Sequence, residues 1–352
     1  MNTATNAAPH GERLSGLGDV LAAMRRTRIA PDDGSAPQLA FDTQPRTVLV
    51  TGATGFIGQH LVRALLRDGH TVIALSRQPE AAARLFEDRV RCVAAPDALG
   101  PDCRVDVVVN LAGARILGPR WTEARKAALR RSRVGLTRRL VAWIAQARHK
   151  PFLLLNASAI GYYGIQKIGD DAVLDEAAPP QAMFMSDLCR EWEEAAGEAA
   201  QHGVRVECMR FGLVLGAGGA LPAMLLPILL GAGGRLGSGR QWLSWIHVDD
   251  LVRGMAHRWR HALDAAAGPG IGVSNFTAPE SVTQAAFSRT AARIWRRPAF
   301  VPTPGWPMRL ALGEQADLLL EGQRVAPRRL EREGFVFRYP GIAEALASLK
   351  QG

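Results

Sequence analysis

The sequence predicts an α/β fold, a doubly wound parallel sheet flanked by helices, on three observations. Val48, Leu49 and Val50 form a short apolar run, as expected for a strand buried on both faces of a parallel sheet. Gly52, Gly55 and Gly58 follow, and open a segment in which Leu61, Val62, Leu65 and Leu66 recur at helical spacing until Asp68-Gly69 closes it. A second apolar run, Val72 to Leu75, completes a strand–helix–strand unit.

Each glycine answers a physical need. The first lets the backbone turn sharply out of the strand and the second lets it approach a pyrophosphate. The third lets the helix pack close to the sheet while its N-terminal N–H groups face the phosphates. This is a Rossmann dinucleotide-binding pattern, and its wording, Thr51-Gly52-Ala53-Thr54-Gly55-Phe56-Ile57-Gly58, resembles the extended short-chain dehydrogenase/reductases. A site that prefers NAD usually places an acid at the end of the second strand, for the ribose 2′-hydroxyl. Here Ser76-Arg77 stands there, a hydroxyl and a guanidinium suited to a 2′-phosphate. NADP(H) is therefore the expected cofactor, with NAD(H) the alternative.

Size and composition bound the rest. The 352 residues suffice for one large α/β domain and a smaller one, and 47% hydrophobic residues allow a sizeable core. The net charge of +10 comes from arginine scattered along the chain, with no aromatic-interleaved patch, so nucleic acid is a minor expectation. Cys92, Cys103, Cys189 and Cys208 form no C-x-x-C pair, which suggests neither a disulfide framework nor a zinc site; no metal is expected. The most apolar run, Leu221 to Ala232, is too short to span a bilayer, and no signal core appears, so a cytoplasmic protein is expected.

Residues 1 to 45 read as a mobile extension, with a short basic amphipathic helix from Leu14 to Ile29 that docks on the core or on a partner. The Rossmann domain runs from 46 to 215, and the C-terminal substrate-side region from 216 to 352, with some of its segments returning to the Rossmann domain. Further strands are Arg91 to Ala95 and Val105 to Leu111. The latter ends in Asn110-Leu111-Ala112-Gly113, similar to the N-x-A-G segment that in the family passes beside the cofactor's ribose and nicotinamide. Trp121 to His149 is a long basic helix whose cations mostly cover a solvated face, with one or two left to reach an anionic substrate.

Phe152 to Asn156 is the fifth strand. It leads into Ala157-Ser158-Ala159-Ile160-Gly161-Tyr162-Tyr163-Gly164, similar to the family's S-S-x-x-V-Y-G turn, which puts Ser158 on the serine that bonds a substrate oxygen. A helix from about Ala182 to Glu198 and a sixth strand, Val204 to Cys208, follow. Phe211-Gly212 falls on the run that in the family passes near the nicotinamide.

Family members carry a helical Y-x-x-x-K, in which the tyrosine transfers a proton and the lysine lowers its pKa and bonds the ribose. Aligning Trp192-Glu193 with the family pattern puts Met185 at the tyrosine and Cys189 at the lysine. A literal Tyr163-x-x-x-Lys167 lies in a Gly-containing turn and reads as a decoy; Tyr162 or Tyr163 alone could offer a hydroxyl. Gly237-Ser238-Gly239-Arg240-Gln241-Trp242-Leu243 resembles a nucleotide-sugar enzyme segment with Leu243 in place of its phosphate-gripping arginine. That argues against a nucleotide sugar, unless Arg235 or Arg240 compensates. His247-x-Asp249-Asp250 reads as an aspartate cap on the next helix.

Residues 46 to 349 together resemble an epimerase/dehydratase-like branch with a short C-terminal domain of unknown function, at about 300 to 349. The resemblance implies an NADP(H)-dependent oxidoreductase or epimerase-like enzyme for a small carbonyl or alcohol, using Ser158 with Tyr162, Tyr163 or a water. The rival expectation is a catalytically silent NADP(H) sensor or structural partner. The sequence leaves a homo-oligomer open.

Overall fold

Strand β1 (Thr47–Thr51) is the hub of the sheet in a computed structural model that describes residues 14–25, 38–264 and 268–350. The other strands of the main sheet include β2 (Thr71–Leu75), β3 (Arg91–Val93), β4 (Val107–Asn110), β5 (Leu153–Ala159) and β6 (Arg205–Phe211). Short strands β7 (Leu213–Leu215), β8 (Trp242–Leu243) and β9 (Trp245–His247) follow, then β10 (Gly270–Phe276) and β11 (Val282–Thr283). The main sheet has seven strands in the order β10-β6-β5-β4-β1-β2-β3, and every pairing is parallel. β10 escapes the sequence reading because Gly270-Ile271-Gly272 interrupts its apolar pattern and Ser274-Asn275 put polar groups in its buried half.

Fourteen or fewer residues make up each helix except α8. They are α1 (Leu17–Arg25), α2 (Phe56–Arg67), α3 (Pro79–Leu85), α4 (Glu123–Arg130), α5 (Leu136–Gln146), α6 (Phe184–Gly197), α7 (Leu221–Leu229), α8 (Val248–Leu263, 16 residues) and α9 (Gln284–Trp295). The shorter α10 (Trp306–Leu312), α11 (Asp317–Leu320) and α12 (Arg328–Arg332) lead to α13 (Ile342–Lys350). Alternation along β1 sorts the two faces. Val48 and Val50 join a core with α2 and α8, while Leu49 joins one with α5. The basic segment read as one helix is split: Arg131–Gly135 is a π-turn between α4 and α5.

A separate core gathers α1, α7, α9 and α13 around Trp245, Phe287 and Trp295. Of residues 1 to 45, expected to form a mobile extension that docks on the core or on a partner, the parts described pack on the core. Leu14 is 1% exposed, its N–H donates to the Leu349 carbonyl (2.8 Å), and its carbonyl accepts from Trp295 Nε1 (2.6 Å). Leu39 and Phe41 N–H groups both donate to the Asp68 carboxylate (3.0 Å each), and Phe41 is buried against Trp259. The rest of that extension, and the predicted helix beyond Arg25, lie outside the described residues.

Candidate active site

The glycine turn forms where β1 meets α2. Gly52 adopts φ +68°, which a side chain would strain, and a Cβ there would sit 2.9 Å from the Leu111–Ala112 backbone. A Cβ on Gly58 would lie 2.2 Å from the Gly52 carbonyl, so the third glycine is required for the close helix packing. Gly55 is the N-cap of α2; no side chain caps that terminus and its first turn holds no acid. Open N–H groups at Phe56 and Ile57 thus form an anion-accepting end. Thr54 is exposed, and the Phe56 ring packs on Gly216, Gly218 and Gly219. At the end of β2, Ser76 donates to and accepts from Gln78, and Arg77 is exposed with no partner among the described residues. This donor set fits a dinucleotide, including a 2′-phosphate.

Asn110 faces inward. Its Oδ1 accepts from Thr51 Oγ1 (2.6 Å), and its Nδ2 donates to Asn156 Oδ1 (2.7 Å) and Thr137 Oγ1 (2.8 Å), which also accepts from Trp192 Nε1 (3.0 Å). The side chain ties β1, β4 and β5 to α5 and is not free to meet a ligand, and the Leu111 and Ala112 N–H groups are likewise taken, by the Thr51 carbonyl (3.2 Å) and Oγ1 (3.1 Å). Gly212 is also a packing glycine: a Cβ would sit 2.6 Å from the Ser244 carbonyl. Beside it, Phe211 meets Phe276 edge-on at 5.6 Å.

At the C-terminal end of β5, Ser158 Oγ donates to Glu193 Oε1 (2.6 Å). Glu193 in turn takes two N–H donors from Arg210 (2.8 and 2.7 Å). Arg210 Nη1 donates to the Tyr163 hydroxyl (3.0 Å), which donates to Asn275 Oδ1 (2.7 Å). Burial works against the charge of Arg210, but bonding to Glu193 outweighs it and holds its pKa above the ordinary value. Tyr163 is 1% exposed, and burial pushes its hydroxyl up to about 12. The expectation that Tyr163 offers its hydroxyl to a substrate is therefore corrected: it is enclosed and fully engaged. Tyr162 differs. It is half-buried, Arg210 lies 3.3 Å from its ring centroid, and its hydroxyl has no partner among the described residues.

Met185 and Cys189, at the positions of the missing pair, are buried beside Gly161, and burial raises the Cys189 thiol to about 12. Lys167 of the decoy is exposed on a loop, lining an open hollow of about 670 Å³ with Arg309, Glu314 and Glu321, away from Ser158. Arg235 and Arg240 are exposed, and Leu243 pairs with Val282 across β8 and β11. The predicted aspartate cap on α8 is also corrected. His247 itself is the cap, its Nδ1 accepting from the Asp249 N–H (3.1 Å), while Asp250 accepts from the Arg338 and Tyr339 N–H groups (2.8 Å each). The sequence reading missed Glu193 and Arg210, although a glutamate on the apolar face of a helix and an arginine inside an apolar strand were both visible signals.

A parallel sheet in this order, with an open glycine turn at its centre, defines an NAD(P)-binding Rossmann protein of the extended short-chain dehydrogenase/reductase type. The chain belongs to the NAD dependent epimerase/dehydratase family, whose family model matches residues 48–269; a domain of unknown function (DUF1731) matches 303–349. It is 39% identical over 306 residues to the epimerase family protein YfhF of Bacillus subtilis, covering 86% of this chain and 97% of that one. The chloroplastic SDR39U1 homolog of Arabidopsis thaliana is 39% identical over 313 residues, 87% of each chain. Among solved structures, the human epimerase family protein SDR39U1 (isoform 2) with NADPH superposes at TM-score 0.74 with 36% identity, over 86% of this chain and 98% of that one. No helix among the described residues is long and apolar enough to cross a membrane.

Proposed function

We propose that the protein is an NADP(H)-dependent oxidoreductase or epimerase-like enzyme acting on a small carbonyl or alcohol that is not a nucleotide sugar. The observation that carries this reading is the uncapped N-terminus of α2 beside a strand end that has no acid and an Arg77 without a partner among the described residues. The human relative with NADPH supports it. The bound nicotinamide would supply or accept the hydride. In this proposal Gly52, Thr54, Gly55, Phe56, Ile57 and Gly58 receive the pyrophosphate, Ser76 and Arg77 the 2′-phosphate, and the Leu111–Gly113 backbone the ribose. Ser158 gives its proton to Glu193, so it meets a substrate as a hydrogen-bond acceptor. The proton donor is Tyr162, whose hydroxyl has no partner among the described residues and whose ring sits under the Arg210 cation.

Fluorescence titration with NADPH and NADH tests the cofactor assignment. Wild type should bind NADPH more tightly, and Arg77→Ala should lose roughly 10-fold or more of that preference. Equal affinities unchanged by the mutation would overturn it. NADPH oxidation against a panel of small carbonyls tests the activity, and Tyr162→Phe should lower turnover without weakening NADPH binding. The buried Met185 and Cys189 favour a second reading, a silent NADP(H)-binding sensor; NADPH binding with no turnover across the panel would select it.

A further inference from the structure

Among the eight arginines and lysines between Trp121 and His149 that the sequence marks as a basic helix, Arg133 stands apart. It lies within the π-turn, which inserts one register step between α4 and α5 and turns the residue off the solvated face. Its guanidinium occupies the space where Gly113 has no side chain: a Cβ there would sit 2.8 Å from Cζ and 2.9 Å from Nη2. Nη2 donates to the Ala114 carbonyl (3.0 Å), and the group stacks 5.3 Å from the Trp192 ring centroid. Trp192 is itself fixed by its bond to Thr137.

Two features of this placement are unusual. First, Arg133 is half-buried and among the described residues has no carboxylate partner, whereas the more deeply buried Arg210 and Arg258 each have one. A cation withdrawn from water without a counter-charge is costly to keep, and burial lowers its pKa to about 10. Second, it stands between the two halves of the candidate site. On one side, Gly113 continues the Leu111–Ala112 backbone that abuts Gly52 of the glycine turn. On the other is the face of α6 that carries Cys189, whose sulfur feels the charge of Arg133. Cys189 occupies the position at which the Y-x-x-x-K pattern has its lysine.

We propose that Arg133 replaces that lysine from a different element. It supplies a cation without a carboxylate partner, distinct from the Glu193-paired Arg210, and binds the nicotinamide-ribose phosphate half of the dinucleotide where it passes Ala112 and Gly113. Gly113 is then required for the guanidinium rather than for the cofactor alone. The inference rests on the NADP(H) reading given above.

The test crosses two variants with two half-ligands, measured by NADPH fluorescence titration and by its competition with reduced nicotinamide mononucleotide or adenosine 2′,5′-bisphosphate. Arg133→Met should weaken NADPH and the nicotinamide half by roughly 10- to 100-fold, the scale of a lost charged hydrogen bond. It should leave adenosine 2′,5′-bisphosphate unchanged, and Arg77→Ala should give the opposite pattern. Arg133→Lys, which keeps the charge and makes a second variant should methionine compromise folding, should retain a substantial part of the affinity. NADPH binding by Arg133→Met equal to wild type would overturn the proposal. So would an equal loss for both halves, the mark of a merely structural arginine. If wild type binds neither NADPH nor NADH, the underlying cofactor reading fails instead, and this proposal with it.

Discussion

Removing the Tyr163 hydroxyl would strand two buried partners, Asn275 Oδ1 and Arg210 Nη1. Tyr163→Phe is therefore expected to cost about 1–3 kcal/mol, seen as a lower denaturant midpoint at unchanged slope. Tyr162→Phe removes a hydroxyl with no partner among the described residues and should leave the midpoint in place, so the two variants separate support from chemistry. Cys189 offers a third check at this scale. With its thiol held near 12 by burial, it should resist alkylation at pH 8 in the folded protein and react once the chain is unfolded. At this scale the sequence was least legible. Ser158, Tyr162 and Tyr163 stand together in the chain and could be found, but which hydroxyl is engaged depends on Asn275, 112 positions away from Tyr163. Asn110 hides its packing role for the same reason: its amide bonds to neighbouring strands that only the sheet brings alongside.

Among the elements, β6 and α8 are joined by buried charges. Glu207 accepts from Ser274 Oγ (2.7 Å), pairs with Arg258 (3.2 Å) and with Arg329 of α12 (3.1 Å), and Glu207 and Arg258 are each about 1% exposed. Glu333 completes the group by contacting Arg258 and Arg329. Glu207→Gln would leave Arg258 and Arg329 to share Glu333 alone and is expected to destabilise by about 3 kcal/mol, measured by equilibrium unfolding. The central strands and the glycine turn were legible because short apolar runs and glycine spacing are local signals. The π-turn was not, since Arg131 to Gly135 has helical composition throughout. Nor was β10, whose place is secured by Glu207 and Arg329 rather than by apolar alternation.

The whole molecule carries a pH response through His247, which joins the Rossmann sheet to the C-terminal core. Its Nδ1 must remain unprotonated to cap α8, and its ring lies 4.1 Å from that of Tyr339. Burial lowers its folded pKa to about 4, against 6.5 for the free side chain. The unfolded chain therefore binds the proton first. Stability should be complete above about pH 6.5 and decline as pH falls toward about 4, visible as a falling melting temperature that His247→Asn makes less steep. A melting temperature flat across that interval would contradict the burial argument. The N-terminal segment carries another consequence. Leu14 closes its core by bonding Trp295 Nε1, 281 positions later, and the backbone of Leu349. At about 5–20 residues per second, a ribosome needs roughly 15 s to 1 min to make the chain between Leu14 and Trp295. α7 (Leu221–Leu229) emerges earlier and gives α1 a first partner, but the core stays open to α9 and α13 until the end of that interval, so this early helix completes its burial late and gives a chaperone that shields emerging segments a client.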